Sequence, residues 1–292
     1  MNIRAKRYSN IAALALILQG ALFWIGSAAI TGAKFDSDSA VYFVVRAVFS
    51  AVINLIPAFL MVRVAGKPAD DETKLLRMEY VPKRSDRIAT TAGSAALVFA
   101  IGILYGKVFP DSTSNIPVGA GTSAWMHMLM IVSLCVFPAV CEELLFRSAI
   151  ASRLAIAGKT SAVIVSALMF GLAHFSAERF PYAFFAGIIF GSVYFQTGSV
   201  KYSMIAHFFC NFTTYLFAWA REVMTQSAYS TLEIVTLAAF LAASMLLSLL
   251  NTRSTLDAFK RGDEHADAGS VITPALAVYA VGFAVIIFLR FI

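Results

Sequence analysis

The chain is partitioned into apolar blocks of about 17–25 residues, the length a helix needs to cross a hydrocarbon layer roughly 30 Å thick. Nine blocks can be read: Ile11–Gly32, Val41–Val64, Ile88–Val108, Ala124–Phe146, Thr160–Phe175, Pro181–Thr197, Tyr202–Ala220, Ile234–Leu250 and Val271–Leu289. In lipid no water satisfies the backbone, so each block must pair its own N–H and C=O groups as a helix. This predicts an all-α polytopic transmembrane bundle, a single integral membrane domain over residues 1–292. Thr160–Phe175 and Pro181–Thr197 are short and read as a broken or tilted pair, so the expected number of spans is eight to nine. Composition agrees: 59% of residues are hydrophobic and 14% charged, against about 25% charged in soluble domains.

The basic residues predict an orientation, because Lys and Arg collect in cytoplasmic loops. With the N-terminus cytoplasmic, one side holds Arg4, Lys6, Arg7, Lys67, Lys74, Arg77, Lys83, Arg84, Arg87, Arg153, Lys159, Lys201, Arg253, Lys260 and Arg261. The other keeps Lys34, Arg179, Arg221 and Arg290. This asymmetry accounts for the net charge of +6 as a topology signal, without a nucleic-acid partner. The first apolar run is longer than the apolar region of a signal peptide and reads as a first span of a cell-membrane protein. Cys135, Cys141 and Cys210 all fall inside spans and read as small buried hydrophobes, because apolar burial works against thiolate formation.

The expensive residues are charges inside spans, each costing about 2.5–3.5 kcal/mol at a helix centre. From Ser112 to Cys141 there is no Asp, Glu, Lys or Arg, and then Glu142, Glu143 and Arg147 arrive together in "CEELLFR". Glu143 and Arg147 are four apart and share a helical face, so they can pair. Glu142 is turned about 100° away and lacks an evident local partner. Two of the four histidines lie deep in apolar runs, His174 in "ALMFGLAHF" and His207 in "SMIAHFFCNF". Asn211 follows His207 by one helical turn, and the pair could direct two donors at one developing oxyanion. His127, near Trp125, reads as interfacial, and His265 as a solvated loop residue. If the fifth and seventh spans are straight and parallel, His174 and His207 differ in depth by about 15 Å.

Neither a membrane-embedded serine with a paired histidine nor HExxH nor a phosphate-binding Gly-rich loop is present. What remains is carboxylate plus imidazole, groups that activate water for attack on a carbonyl with or without a metal. A metal set of Glu142, His174 and His207 is one option. A non-enzymatic membrane immunity factor, scaffold or proton-coupled transporter is another, with the polar cluster serving packing or proton movement.

Three motifs in order, "EELLFR" (Glu142 to Arg147), "FGLAH" (Phe170 to His174) and "HFFCN" (His207 to Asn211), resemble the CAAX-protease and bacteriocin-processing (Abi) family of glutamate intramembrane endopeptidases. The stretch Phe185 to His207, with its glycines and Thr-Gly-Ser turn, is similar too. The resemblance covers roughly Trp125 to Tyr215 and makes residues 124–220 the catalytic-core helices. It implies a metal-independent peptidase with no cofactor, in which Glu142 and His174 activate water, His207 and Asn211 form the oxyanion hole, and Glu143 and Arg147 support the site. The implied partners are a lipidated or membrane-bound peptide substrate and the surrounding lipids.

Overall fold

A computed structural model describes residues 3–66, 82–109, 116–260 and 268–288. Lys67, Lys74, Arg77, Arg261, His265 and Arg290, named above for charge or solvation, lie outside the described residues. Nine helices run through the described residues, one for each apolar block. They are α1 (Ile3–Gly32), α2 (Ala40–Ala65), α3 (Arg84–Val108), α4 (Ala124–Ala157), α5 (Lys159–Leu172), α6 (Phe180–Thr197), α7 (Val200–Val223), α8 (Gln226–Lys260) and α9 (Pro274–Phe288). No strand occurs among the described residues.

Boundaries follow local chemistry. Ser39 and Ser123 accept hydrogen bonds from the backbone N–H of Tyr42 and Met126, opening α2 and α4, as capping residues do. Gly198 closes α6 at φ +68°, a left-handed conformation that favours glycine. Its sharp reversal starts α7 two residues later. The fourth helix runs eleven residues beyond the expected end at Phe146, because its charged middle is buried against neighbours rather than terminated.

That helix is irregular where it matters. Val132–Val136 and Leu144–Ala151 form wide turns on either side of Phe137–Glu143. Pro138 near the start of the middle segment has no N–H for the preceding turn, which accounts for the first widening. Such bulges re-aim side chains and recur at functional sites. Helix α4 sits centrally, against α2, α5 and α7; α3 and α8 form an outer pair, and α1 packs between α2 and α9.

Helices α1, α2, α3, α4 and the Gln226–Leu250 part of α8 are long and apolar enough to cross a membrane. Helix α5 is apolar but only 14 residues long, and α6 and α7 have 18 and 24 residues. Along α2, Val41, Val44, Val48, Val52, Leu55 and Phe59 are all exposed, an outward stripe at helical spacing. In water this stripe would be a large sticky patch; in lipid it is the contact surface. The interior carries the polar bonds instead: Gln19 Nε2 donates to Asn54 Oδ1 at 2.9 Å, and Ser9 Oγ to the Val271 carbonyl at 2.6 Å. The chain is a helical membrane bundle.

Gly187 and Gly191 face α5. A Cβ on Gly187 would stand 2.9 Å from Ala167 Cα, whereas one on Gly191 would make ordinary contact with Val163. Gly187→Ala is therefore expected to destabilise the bundle by about 1–3 kcal/mol, read as a lower thermal midpoint in detergent. Gly282→Ala, with nothing within 4 Å of the added atom, is expected not to lower it.

Candidate active site

The i,i+4 spacing of Glu143 and Arg147 gives the pair read from sequence, with Nε 3.0 Å from Oε2 and both side chains at 0% exposure. The other carboxylate oxygen, Oε1, lies 3.1 Å from His207 Nδ1, so Glu143 joins α4 to α7 as well. Arg147 Nη2 donates to the Gly187 carbonyl of α6 at 3.3 Å. Phe170 of α5 lies 4.7 Å from the guanidinium carbon, and Phe190 of α6 stacks on the His207 ring at 4.8 Å. Buried charge is tolerated only when paired and hydrogen-bonded. Inside an aromatic sleeve, the Arg147–Glu143–His207 chain meets the pairing condition and makes two hydrogen bonds, while Glu143 Oε2 and Arg147 Nε and Nη1 have no hydrogen-bond partner among the described residues.

Glu142, one residue away, is half-buried rather than sealed. His174 sits on the turn after α5, its Nδ1 2.8 Å from the Phe170 carbonyl. A carbonyl only accepts, so Nδ1 carries the hydrogen, and in the neutral ring Nε2 keeps a free lone pair. Glu142 acts electrostatically on both His174 and Arg147, and His207 acts on His174. The depth mismatch expected for straight spans is bridged by Phe170, whose ring centroid lies 5.0 Å from that of His174 and 5.8 Å from that of His207.

Asn211 lies one turn beyond His207 and lines a cavity of about 390 Å³ shared by Tyr42, Arg46, Leu134, Thr214 and Tyr215. Arg46 Nη1 donates to the Tyr42 hydroxyl at 3.1 Å. On the α5–α6 turn, the Arg179 guanidinium is pushed below its ordinary range by desolvation first and by the charge of Arg46 next; Glu178 opposes the shift. Arg46 was not singled out from sequence. Its signal was an arginine one turn inside the block Val41–Val64, as anomalous as Arg147 but without a neighbouring motif. Phe190, which closes the sleeve, carried no signal distinguishing it from the other phenylalanines.

The remaining residues take structural places. His127 Nδ1 bonds the Tyr215 hydroxyl, and the ring meets Trp219 edge-on at 5.7 Å, so it ties α4 to α7. The three cysteines are free and buried. Among the described residues, no three His, Cys, Asp or Glu side chains gather as a metal-ligand set.

No curated protein and no solved structure matches the chain significantly. A family model does, and it covers the helices that carry Glu142, Glu143, Arg147, His174, His207 and Asn211. Residues 123–213 match the family described as type II CAAX prenyl endopeptidase Rce1-like. From the start of α4 to the middle of α7 the chain is thus similar to an Rce1-like domain, in keeping with the resemblance to the CAAX-protease and bacteriocin-processing family.

Proposed function

We propose that the protein is a glutamate-type intramembrane endopeptidase that hydrolyses a lipidated or membrane-bound peptide, with Glu142 and His174 activating the water. The observation that carries this reading is the division of two adjacent glutamates. Glu143 is sealed and spent on Arg147 and His207, whereas Glu142 is half-buried and faces the field of His174. A carboxylate without a committed cation is free to take a proton from water. The water oxygen attacks the scissile carbonyl, its proton passes to the Glu142–His174 pair, and the same proton then leaves with the departing amine.

His207 and Asn211 face the developing oxyanion. With Nδ1–H donated to Glu143, His207 offers an Nε2–H only when both nitrogens are protonated. Arg147, Glu143, a protonated His207 and Glu142 then sum to zero charge. That balance suits a low-dielectric interior, where a lone charge is costly. Arg147 and Glu143 are positioning residues: they hold the His207 ring and set which nitrogen points at substrate. In the orientation given by the basic residues, the chain crosses the membrane several times with its N-terminus cytoplasmic. The Asn211 cavity then lies toward the opposite side, at the end where α1 turns into α2.

The test uses a lipidated peptide in detergent and cleavage read by mass spectrometry. Asn211→Ala is expected to lower kcat by about 10²–10³-fold, the typical cost of one oxyanion donor, with KM little changed. His174→Ala is expected to remove activity while the protein stays folded. Undiminished cleavage by a folded His174→Ala variant would overturn the reading.

A further inference from the structure

We propose that the groove between α3, α7 and α8 holds one acyl chain of an anionic phospholipid, with the headgroup phosphate on Arg87 and Lys201. The site lies apart from the candidate active site and does not depend on the peptidase reading. It measures about 430 Å³ and is walled by Ile88 and Ala92 of α3, Ile205 and Phe209 of α7, and Phe240 and Leu247 of α8. His207 is two residues from both Ile205 and Phe209, about 160° around α7. The groove therefore opens on the side of that helix turned away from Glu143. The threonines in its wall are committed to their own helices. Thr91 Oγ1 donates to the Arg87 carbonyl and Thr213 Oγ1 to the Phe209 carbonyl, each at 2.7 Å. What the wall offers a guest is hydrocarbon contact. Along α7 it runs from Tyr202 to Thr213, about 16 Å at 1.5 Å per residue. That is close to half of a hydrocarbon core about 30 Å thick, the depth of one leaflet and so of one acyl chain.

Charge at the Tyr202 end supplies the other half of the match. The Arg87 guanidinium carbon lies 5.9 Å and Lys201 Nζ 5.1 Å from the centroid of the Tyr202 ring, so two cations flank one residue of the groove wall. Neither forms an ion pair among the described residues, and Arg87 Nε is buried without a hydrogen-bond partner. Lys83 and Arg84, at the start of the same helix, are exposed and add positive field. Asp86, the carboxylate of that turn, accepts from Ser85 Oγ at 3.1 Å. Arg87 directly precedes the groove residue Ile88, and Lys201 directly precedes Tyr202. The cations thus stand where the apolar wall ends, the level at which a chain in the groove would carry its phosphate. Basic clusters at the ends of membrane helices select anionic headgroups in this way. A free phosphate would meet the cations and leave the groove empty; a neutral lipid would fill the groove and leave the cations unmatched.

Retention is read by native mass spectrometry of the full chain released from detergent micelles, with dioleoyl phosphatidylglycerol and dioleoyl phosphatidylcholine offered together. One phosphatidylglycerol is expected to stay bound, with a preference of about 30-fold, roughly 5-fold for each cation at the headgroup. Arg87→Gln and Lys201→Gln should each lower the preference about 5-fold, and the double variant should remove it. Ala92→Trp, at an exposed position of the wall, should expel both lipids. Glycerophosphoglycerol, the same headgroup without its chains, should not compete. Thermal melts in the same detergent register whether each variant is folded, and the exposed Lys201 tests the headgroup contact without disturbing a buried atom. Equal retention of the two lipids, or a preference that survives the double variant, overturns the proposal. So does undiminished retention by folded Ala92→Trp, or competition by the free headgroup. Displacement of the lipid by a farnesylated peptide, or a dimer that Ala92→Trp dissociates, would give the groove to another occupant and overturn it equally.

Discussion

Glu142→Gln should reduce peptide hydrolysis by about 10²–10⁴-fold, the contribution of a positioned general base, without lowering the thermal midpoint. The side chain keeps its size but loses its charge and its ability to take a proton. Glu142 forms no ion pair among the described residues and is half-buried, so the substitution breaks no ion pair. The neighbouring Glu143→Gln should behave differently, losing stability together with activity. Measuring cleavage rate and unfolding midpoint on both variants separates a base from a strut. A Glu142→Gln protein that cleaves at the original rate would sink the assignment of the base.

The largest expected effect on stability is at Glu143. Its carboxylate is the ion-pair partner of Arg147 and the hydrogen-bond partner of His207, and Glu143 and Arg147 are wholly buried. Glu143→Ala leaves the guanidinium charged and without its counter-ion, a loss of about 3–5 kcal/mol. The protein should unfold in detergent at a clearly lower temperature. Replacing both partners with apolar residues, Glu143→Leu with Arg147→Met, should recover most of that loss, because no charge is then left unpaired. The double variant should still be inactive, since nothing holds the His207 ring. A single Glu143→Ala variant as stable as the original protein would show that the sealed triad is not a structural element.

Much of this was legible in the sequence. Each apolar block became a helix, because lipid acts on one segment at a time and length and hydropathy are local quantities. The fourth block ran on to Ala157, since a buried Arg147 ends a hydropathy reading without ending the helix. Glu143 and Arg147 paired as their spacing demanded, four residues on one helical turn. The order of the three motifs located the domain that the family match covers, residues 123–213.

His207 could be picked out as a polar residue in an apolar helix, but not its bond to Glu143. That bond joins two helices 64 residues apart. Arg46 escaped notice for the same reason: on its own helix it is only a charge, and it shares a cavity with Asn211 only once α2, α4 and α7 pack together. By itself the sequence determined that the chain makes membrane helices, where the charges interrupt them, and which charges share a helical turn. Only the tertiary structure decided that Glu143 is sealed in an ion pair while Glu142 is half-buried, that Phe170 bridges two histidines of different depth, and that Arg46 and Asn211 line one cavity. Helical periodicity is set by the backbone within a few residues, whereas contacts between helices depend on how whole faces pack together.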